Sequence, residues 1–322
     1  MAVYTALSDD DVTGFIQPLD LGALCSVSGV ASGIENTNYF VDTASGSYVL
    51  TLFERLTSDE LPFYLHLMKH LASRGIPVPD PVANSAGDIL HEVGGKPAVI
   101  VNRLPGRSVV APSPAQCRAV GEVLARMHVA GLDYLRHQPN PRGLDWWRAT
   151  APVVHAFLSA EQQTLLASEM AFQEQVAASA AFAQLPRGPV HGDLFRDNVL
   201  FEGERVAGVF DFYFAGCDAL LFDVAVCLND WCVGDQGARA DAFLEGYDSV
   251  RPLGAVEHDL LPAMRRAGAF RFWLSRLSDL HLPRQAALLN AHDPVHFERL
   301  LRTVREMMRH HEHANISEVR RS

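Results

Sequence analysis

Apolar positions along the chain follow two different periods, and the change between them falls near residue 105. In the first hundred residues the runs ALCSV, TNYFVDT and SYVLTLFE are short, β-branched or aromatic, and separated by the Gly and Ser punctuation of SGVASG and TASGS. Such runs fit a pleated, half-buried surface, and the short breaks between them predict two hairpins. A helical period interrupts once. Leu61, Leu65, Met68 and Leu71 recur every three or four residues, after Ser58 and Asp59 suited to capping, with Pro62 tolerable in a first turn and Gly75 at the end. GDILHEV and KPAVIVNRL predict two further strands, after which Pro105 and Gly106 in LPGRS break the pattern.

From Ser113 the spacing becomes helical. Cys117, Val120, Leu124 and Met127 share one face, and segments 145–184, 238–248, 257–279 and 295–309 carry the same period, most clearly through Phe297, Leu300, Leu301, Val304, Met307 and Met308. Only the stretch from GPVHGDLF to VFDFYFAG returns to short strands and Gly-bounded loops. The pattern predicts an α+β chain: a small β-rich N-lobe with one helix over residues 1–104, a hinge at the LPGRS break, and a larger, mainly helical C-lobe over residues 105–322. Interdomain clefts are favoured ligand sites, which draws attention to the polar loop embedded in the second lobe.

Composition narrows the picture. A chain of 322 residues can bury two such cores without staples. The five cysteines are odd in number and scattered, with no C-x-x-C pair, so neither a disulfide framework nor a zinc site is expected, and a reducing cytoplasm fits best. MAVYTALSDDDVTGF lacks a basic region followed by an apolar core, and no later segment approaches the unbroken apolar length that spans a bilayer. The expectation is an unexported protein without a membrane partner. With 38 acidic against 27 basic side chains, the net charge of -11 argues against nucleic acid, whose affinity depends on clustered Lys and Arg. It is compatible with a small cationic or zwitterionic substrate.

The chemistry is concentrated in HGDLFRDNVLF, His191 to Phe201. HGD or RDN alone reads as a turn, since Asp and Asn beside Gly are common there. The set is more specific: His191, Asp193 and Asn198 satisfy H-x-D-x-x-x-x-N, and thirteen residues after Asn198 comes Asp211 in VFDFYFAG. Phosphoryl transfer needs a positioned hydroxyl, an acceptor for its proton, and divalent metal held against nucleotide phosphates. Asp193 can orient and deprotonate the acceptor. Asn198 offers a neutral oxygen ligand and Asp211 a charged one to Mg²⁺. Asp197 reads as a solvated or structural carboxylate. Further on, Asp223 sits among Leu, Phe and Val, where a buried carboxylate must be paired; it is expected to anchor the loop by accepting backbone hydrogen bonds. Asp230 and Trp231 have two readings, an acceptor pocket or a polar helix end with the indole in the core. Arg196 also has two: attracting phosphate or a substrate carboxylate, or facing solvent. His128 reads as a buried, hydrogen-bonded histidine, and HHEH (310–313) is given no function.

HGDLFRDNVLF with VFDFYFAG resembles the catalytic and metal loops of the aminoglycoside phosphotransferase and choline kinase superfamily, which shares the protein-kinase architecture. GVASGIENTNYFVDT, YVLTLFE, HGDLFRDNVLF and LNDWC together resemble the homoserine kinases of bacterial threonine biosynthesis within it, from about Val27 to the final helix. The resemblance implies a protein-kinase-like bilobal fold with a small antiparallel sheet, ATP and Mg²⁺ as cofactors, and L-homoserine as small-molecule substrate. It implies Asp193 as catalytic base, Asn198 and Asp211 as metal ligands, and His191 as a ring that orders the loop. SGVASGIENTN would cover the phosphates, with Gly29 and Gly33 admitting backbone amides to the nucleotide, and the backbone from Asn102 to Leu104 would meet an adenine edge; read from the residues alone, the first is equally a hairpin loop and the second an ordinary strand end. Other hydroxyl acceptors (choline, ethanolamine, an aminoglycoside) and a non-catalytic nucleotide-binding module are the competing readings. One departure stands out: YVLTLFE has Thr51 where a kinase's third strand carries a phosphate-pairing lysine. Glu60, that lysine's nominal partner, then becomes a first-turn helix residue, and Arg55 is either a substitute cation or solvated.

Overall fold

The computed structural model of the chain describes residues 4–30, 36–232, 237–282 and 293–319, with side chains to residue 308. It divides into two compact units: Met1–Val109 with Asp133–Arg136 and Asp197–Tyr213, and Val110–Leu132 with His137–Arg196 and Phe214–Ser322.

The first unit is built on a five-stranded antiparallel sheet in the order β1-β2-β3-β5-β4, with β1 at Leu24–Gly29, β2 at Thr37–Thr43, β3 at Gly46–Leu52, β4 at His91–Val93 and β5 at Lys96–Asn102. Alternation along TNYFVDT turns Thr37, Tyr39, Val41 and Thr43 inward, as a period of two requires. One face of the sheet packs on α1 (Asp9–Ile16), where Val12, Phe15 and Ile16 meet Tyr39, Val41, Leu50, Leu52 and Ile100. The strand-dominated reading of this region passed over α1, because eight residues are too short to display a helical period. Its signal was the cap: the Ser8 hydroxyl accepts from Asp11 N–H while the Asp11 carboxylate accepts from Ser8 N–H. The helix α2 spans Pro62–Ser73 and gives way to Gly75 at φ 73°.

A second hairpin joins this unit from far along the chain, β7 (Val199–Glu202) with β8 (Arg205–Val209). Arg107 and Phe201 exchange both main-chain hydrogen bonds, at 3.1 and 2.9 Å, and Val209 N–H donates to the Pro77 carbonyl at 2.8 Å. Gly106, the break in LPGRS, has φ 94°, and a Cβ there would lie 2.6 Å from the Phe201 carbonyl oxygen. Only glycine permits that approach.

The second unit holds α3 (Pro114–Gly131), α4 (Leu144–His155), α5 (Ala160–Ala177), α6 (Ala180–Ala183), α7 (Leu221–Trp231), α8 (Ala238–Asp248), α9 (Ala255–His281) and α10 (Val295–Val319), with a ribbon of β6 (Arg187–Val190) and β9 (Gly216–Ala219). The single helical stretch read over 145–184 is three helices. Ser159 opens α5 through a capping box with Gln162, and the Ser179 hydroxyl accepts from Phe182 N–H to open α6. Apolar periodicity survives such breaks; the capping serines mark them. No helix among the described residues is long and apolar enough to cross a membrane.

Helices α3 and α8 cross backbone to backbone at two glycines. A Cβ on Gly121 would lie 2.1 Å from the Phe243 carbonyl oxygen, and one on Gly246 would lie 2.1 Å from that of Arg118. Neither neighbour can yield without moving a helix. Gly121→Ala is therefore expected to destabilise by about 3 kcal/mol, the upper part of the usual overpacking range. An unchanged denaturant midpoint for this variant would contradict the packing described.

Candidate active site

The loop after β6 is held from beneath by one buried carboxylate. Asp223, fully inaccessible in the first turn of α7, accepts the His191 N–H at 2.6 Å on Oδ2 and the Gly192 N–H at 2.8 Å on Oδ1. His128 Nε2 lies 3.3 Å from the same Oδ2, and its Nδ1 is 2.8 Å from the Tyr247 hydroxyl. Every atom of this relay is buried, so each hydrogen bond is made in a medium where leaving it unmade is costly. Gly192 has φ 75°, and a Cβ would sit 2.8 Å from the Phe214 carbonyl oxygen. The expected anchoring role of Asp223 is thus visible, as is that of His191, whose Nδ1 accepts the Asp193 N–H at 3.2 Å. Beyond it Phe195 N–H donates to the Asp193 carbonyl at 2.8 Å, and the Trp231 indole N–H donates to the Leu194 carbonyl at 3.0 Å.

With its main chain fixed on both sides, Asp193 keeps a side chain that is 16% exposed, and its Oδ1 lies 3.5 Å from Nη1 of Arg271 on α9. The sequence reading missed Arg271. Its signal was an arginine between two phenylalanines in AFRFWL, inside an otherwise apolar stripe.

Asn198 and Asp211 lie at the open end of the β7–β8 hairpin. Val199 pairs with Val209, and the Asn198 carbonyl accepts the Phe210 N–H at 3.1 Å, so the residue before Asp211 is bonded to Asn198 itself. Asn198 is buried in a 3₁₀ turn. Asp211 has φ 67°, a left-handed conformation that costs a non-glycine residue about 1 kcal/mol or more and concentrates at functional sites. Burial, and then the Asp211 charge, push the Tyr213 phenol upward. Among the described residues no group of three or more His, Cys, Asp or Glu side chains could hold a metal ion. A carboxylate and a carboxamide oxygen are instead the sparse, hard donor set that suits Mg²⁺, which fills its remaining positions with water and phosphate.

Of the residues expected to meet a nucleotide, Gly29 ends β1 opposite Tyr39, whereas Gly33 lies outside the described residues. Asn102 ends β5, and its Oδ1 accepts the Asp80 N–H at 2.7 Å. The Arg103 N–H is taken by the Ser47 carbonyl at 2.9 Å. Leu104 packs over Gly208, where a Cβ would come within 2.7 Å of its Cδ1. Thr51 is buried in β3 and donates its hydroxyl to Asn38 Oδ1 on β2 at 2.7 Å, so the lysine position is occupied by a neutral cross-strand pair. Lys96, on β5, pairs with Glu54, which also accepts from the hydroxyls of Thr5 and Thr37. Glu60 is not a helix residue as expected. It closes a turn before α2, accepting the Thr57 main-chain N–H and hydroxyl, both at 2.9 Å, and these hold its carboxyl below the usual range. Arg55 is exposed.

The three acceptor candidates are brought together, but not as a pocket wall. Arg196 and Asp230 form a two-pronged ion pair, Nε to Oδ2 and Nη2 to Oδ1 at 3.1 Å each, reinforced by the Arg196 main-chain N–H at 2.9 Å. Arg196 Nη1 donates to the Val110 carbonyl at 2.7 Å. Each charge is neutralised by the other, which fastens the loop to the end of α7. Trp231 is fully buried, so its side chain belongs to the core beneath the loop.

Residues 26–260 match the model of the phosphotransferase enzyme family. The chain belongs to that family. Among similar phosphotransferases, the homoserine kinase of Polaromonas naphthalenivorans (strain CJ2) is 61% identical over 307 residues, covering 94% of this chain and 97% of that protein. The homoserine kinase of Burkholderia mallei (strain SAVP1) is 53% identical over 315 residues, covering 94% and 95%. Among solved structures, the amicoumacin kinase hAmiN in complex with AMP-PNP, Ca²⁺ and Ami superposes with a TM-score of 0.70 at 18% identity, covering 93% of this chain and 94% of that one. Choline kinase from Cryptosporidium parvum Iowa II gives 0.64 at 14% identity, covering 94% and 97%. The fold of this phosphotransferase is the protein-kinase-like α+β fold, as its motifs implied.

Proposed function

We propose that the protein transfers the γ-phosphoryl group of ATP to the side-chain hydroxyl of L-homoserine, giving O-phospho-L-homoserine and ADP in the cytoplasmic synthesis of threonine. The observation that carries this reading is the 61% identity to a homoserine kinase across 94% of the chain, a span that includes both the loop and α9. At the loop, the Asp193 carboxylate holds the acceptor hydroxyl and takes its proton as the oxygen bonds to the γ-phosphorus and the bond to the bridging oxygen of ADP breaks. The pinned main chain supports in-line placement, because orientation fixed before reaction need not be found during it. Asn198 and Asp211 would hold the metal ion through oxygen, and Mg²⁺ bound there would offset charge on the phosphate oxygens. Gly29 and Gly33 would admit main-chain amides to the phosphates, and the main chain from Asn102 to Leu104 would meet the base.

Release of ADP, measured with and without Mg²⁺ against a panel of L-homoserine, choline, ethanolamine and an aminoglycoside, tests the reading. Stimulation by homoserine that disappears on chelation is expected. ATP binding without stimulation by any acceptor would point to a nucleotide-binding module instead.

A further inference from the structure

Arg271 is a buried charge of the second unit whose donors are only partly matched. It lies within Ala267–Leu274 of α9, every residue of which is buried, and is itself 3% exposed. A guanidinium withdrawn from water is tolerated when its N–H groups are matched. Here the match is incomplete. Nη1 stands 3.5 Å from Asp193 Oδ1, longer than a strong charge-assisted hydrogen bond, and Nε and Nη2 have no hydrogen-bond partner among the described residues. The group lies over the Phe272 ring at 3.8 Å and 5.1 Å from that of Phe214, contacts that hold its position without engaging its donors. Burial draws its pKa down to about 10, against the opposing pull of Asp193, so it is charged at neutral pH. Ser275, four residues on and therefore on the same helical face, is also buried, with an Oγ that lacks a partner among the described residues. Arg142 and Arg276 are close enough for their charges to act on Arg271 as well. Asp279 acts on it with the opposite sign and lies 3.7 Å from Arg276, so three guanidinium groups face the two carboxylates of Asp193 and Asp279.

We infer that Arg271 receives the carboxylate of the acceptor, making it the residue that selects a hydroxy amino acid over the amino alcohol lacking that group. The inference rests on the proposed acceptor chemistry. In homoserine four bonds separate the carboxyl carbon from the hydroxyl oxygen, a reach of about 5 Å when extended, built from bonds of about 1.5 Å. Adjacent groups such as Asp193 and Arg271 can therefore hold its two ends at once. The planar fork of arginine matches a carboxylate in a way that Arg196, already committed to Asp230, does not.

The test compares kcat/KM for L-homoserine, L-homoserine amide and 3-aminopropan-1-ol, which is homoserine without its carboxylate, in the wild type, Arg271→Gln and Arg271→Lys. The wild type is expected to favour homoserine over both analogues by about 100-fold or more, since a site built to bond a polar group discriminates strongly against its absence. In Arg271→Gln that preference falls to within about tenfold, mainly through KM for homoserine, and Arg271→Lys recovers part of it. Equal losses on homoserine and 3-aminopropan-1-ol would overturn the inference, leaving Arg271 as a positioning residue for Asp193. So would a wild type that uses the amide as well as homoserine, a result that stands even if Arg271→Gln fails to fold. A wild type inactive on homoserine but active on choline or an aminoglycoside would sink the underlying function, a separate result from loss of the preference.

Discussion

Asp193→Asn is expected to lower kcat on homoserine by about 10³-fold, within the range for removing a positioned general base, while ATP affinity and folding are retained. The carboxamide is nearly isosteric, and the surrounding framework is independent of the side chain. His191 Nδ1 accepts from the Asp193 main-chain N–H, Phe195 N–H donates to its carbonyl, and Asp223 holds the two residues before it. The variant therefore removes the proton acceptor and leaves the loop. Initial rates of ADP release, with nucleotide affinity measured in parallel, separate the two. Near-wild-type turnover would mean that the proton leaves by another route.

Asp223→Ala is expected to do something different: to destabilise the second unit and loosen the loop together. It strips an acceptor from the N–H groups of His191 and Gly192 and from Nε2 of His128, all buried. Leaving such groups unsatisfied costs about 1–3 kcal/mol each, so a loss of roughly 4 kcal/mol is expected, with kcat falling through misplacement of Asp193. Paired denaturant titrations and rates check this. A variant with unchanged stability and reduced rate would assign Asp223 a direct part in the chemistry and remove it as the anchor.

These two aspartates also show what the sequence makes legible. Asp223 could be read as an anchor because a carboxylate in LLFDVAVCL has few physical options other than pairing. The strands of TNYFVDT and SYVLTLFE could be read because alternation follows directly from the pleat. The ion pair of Arg196 with Asp230 could not, since either residue alone looks like a free charge and only the fold brings α7 back to the loop. The same holds for Arg271, which interrupts an apolar stripe without saying what faces it. Glu60 was misplaced by one turn because Thr57 draws its side chain into a closed loop ahead of Pro62. The left-handed backbone at Asp211 leaves no mark in composition, although aspartate tolerates it better than most residues.

The most direct measurement is the identity of the phosphorylated product. Incubated with ATP, Mg²⁺ and L-homoserine, the full chain is expected to yield a phosphate monoester on the side-chain oxygen of homoserine, identified by ³¹P NMR and coupling to the adjacent methylene protons, in amounts equal to the ADP released. The Asp193→Asn protein is expected to yield almost none in the same time. ADP formation with no phosphohomoserine signal, or product formed equally by the Asp193→Asn variant, would contradict the account.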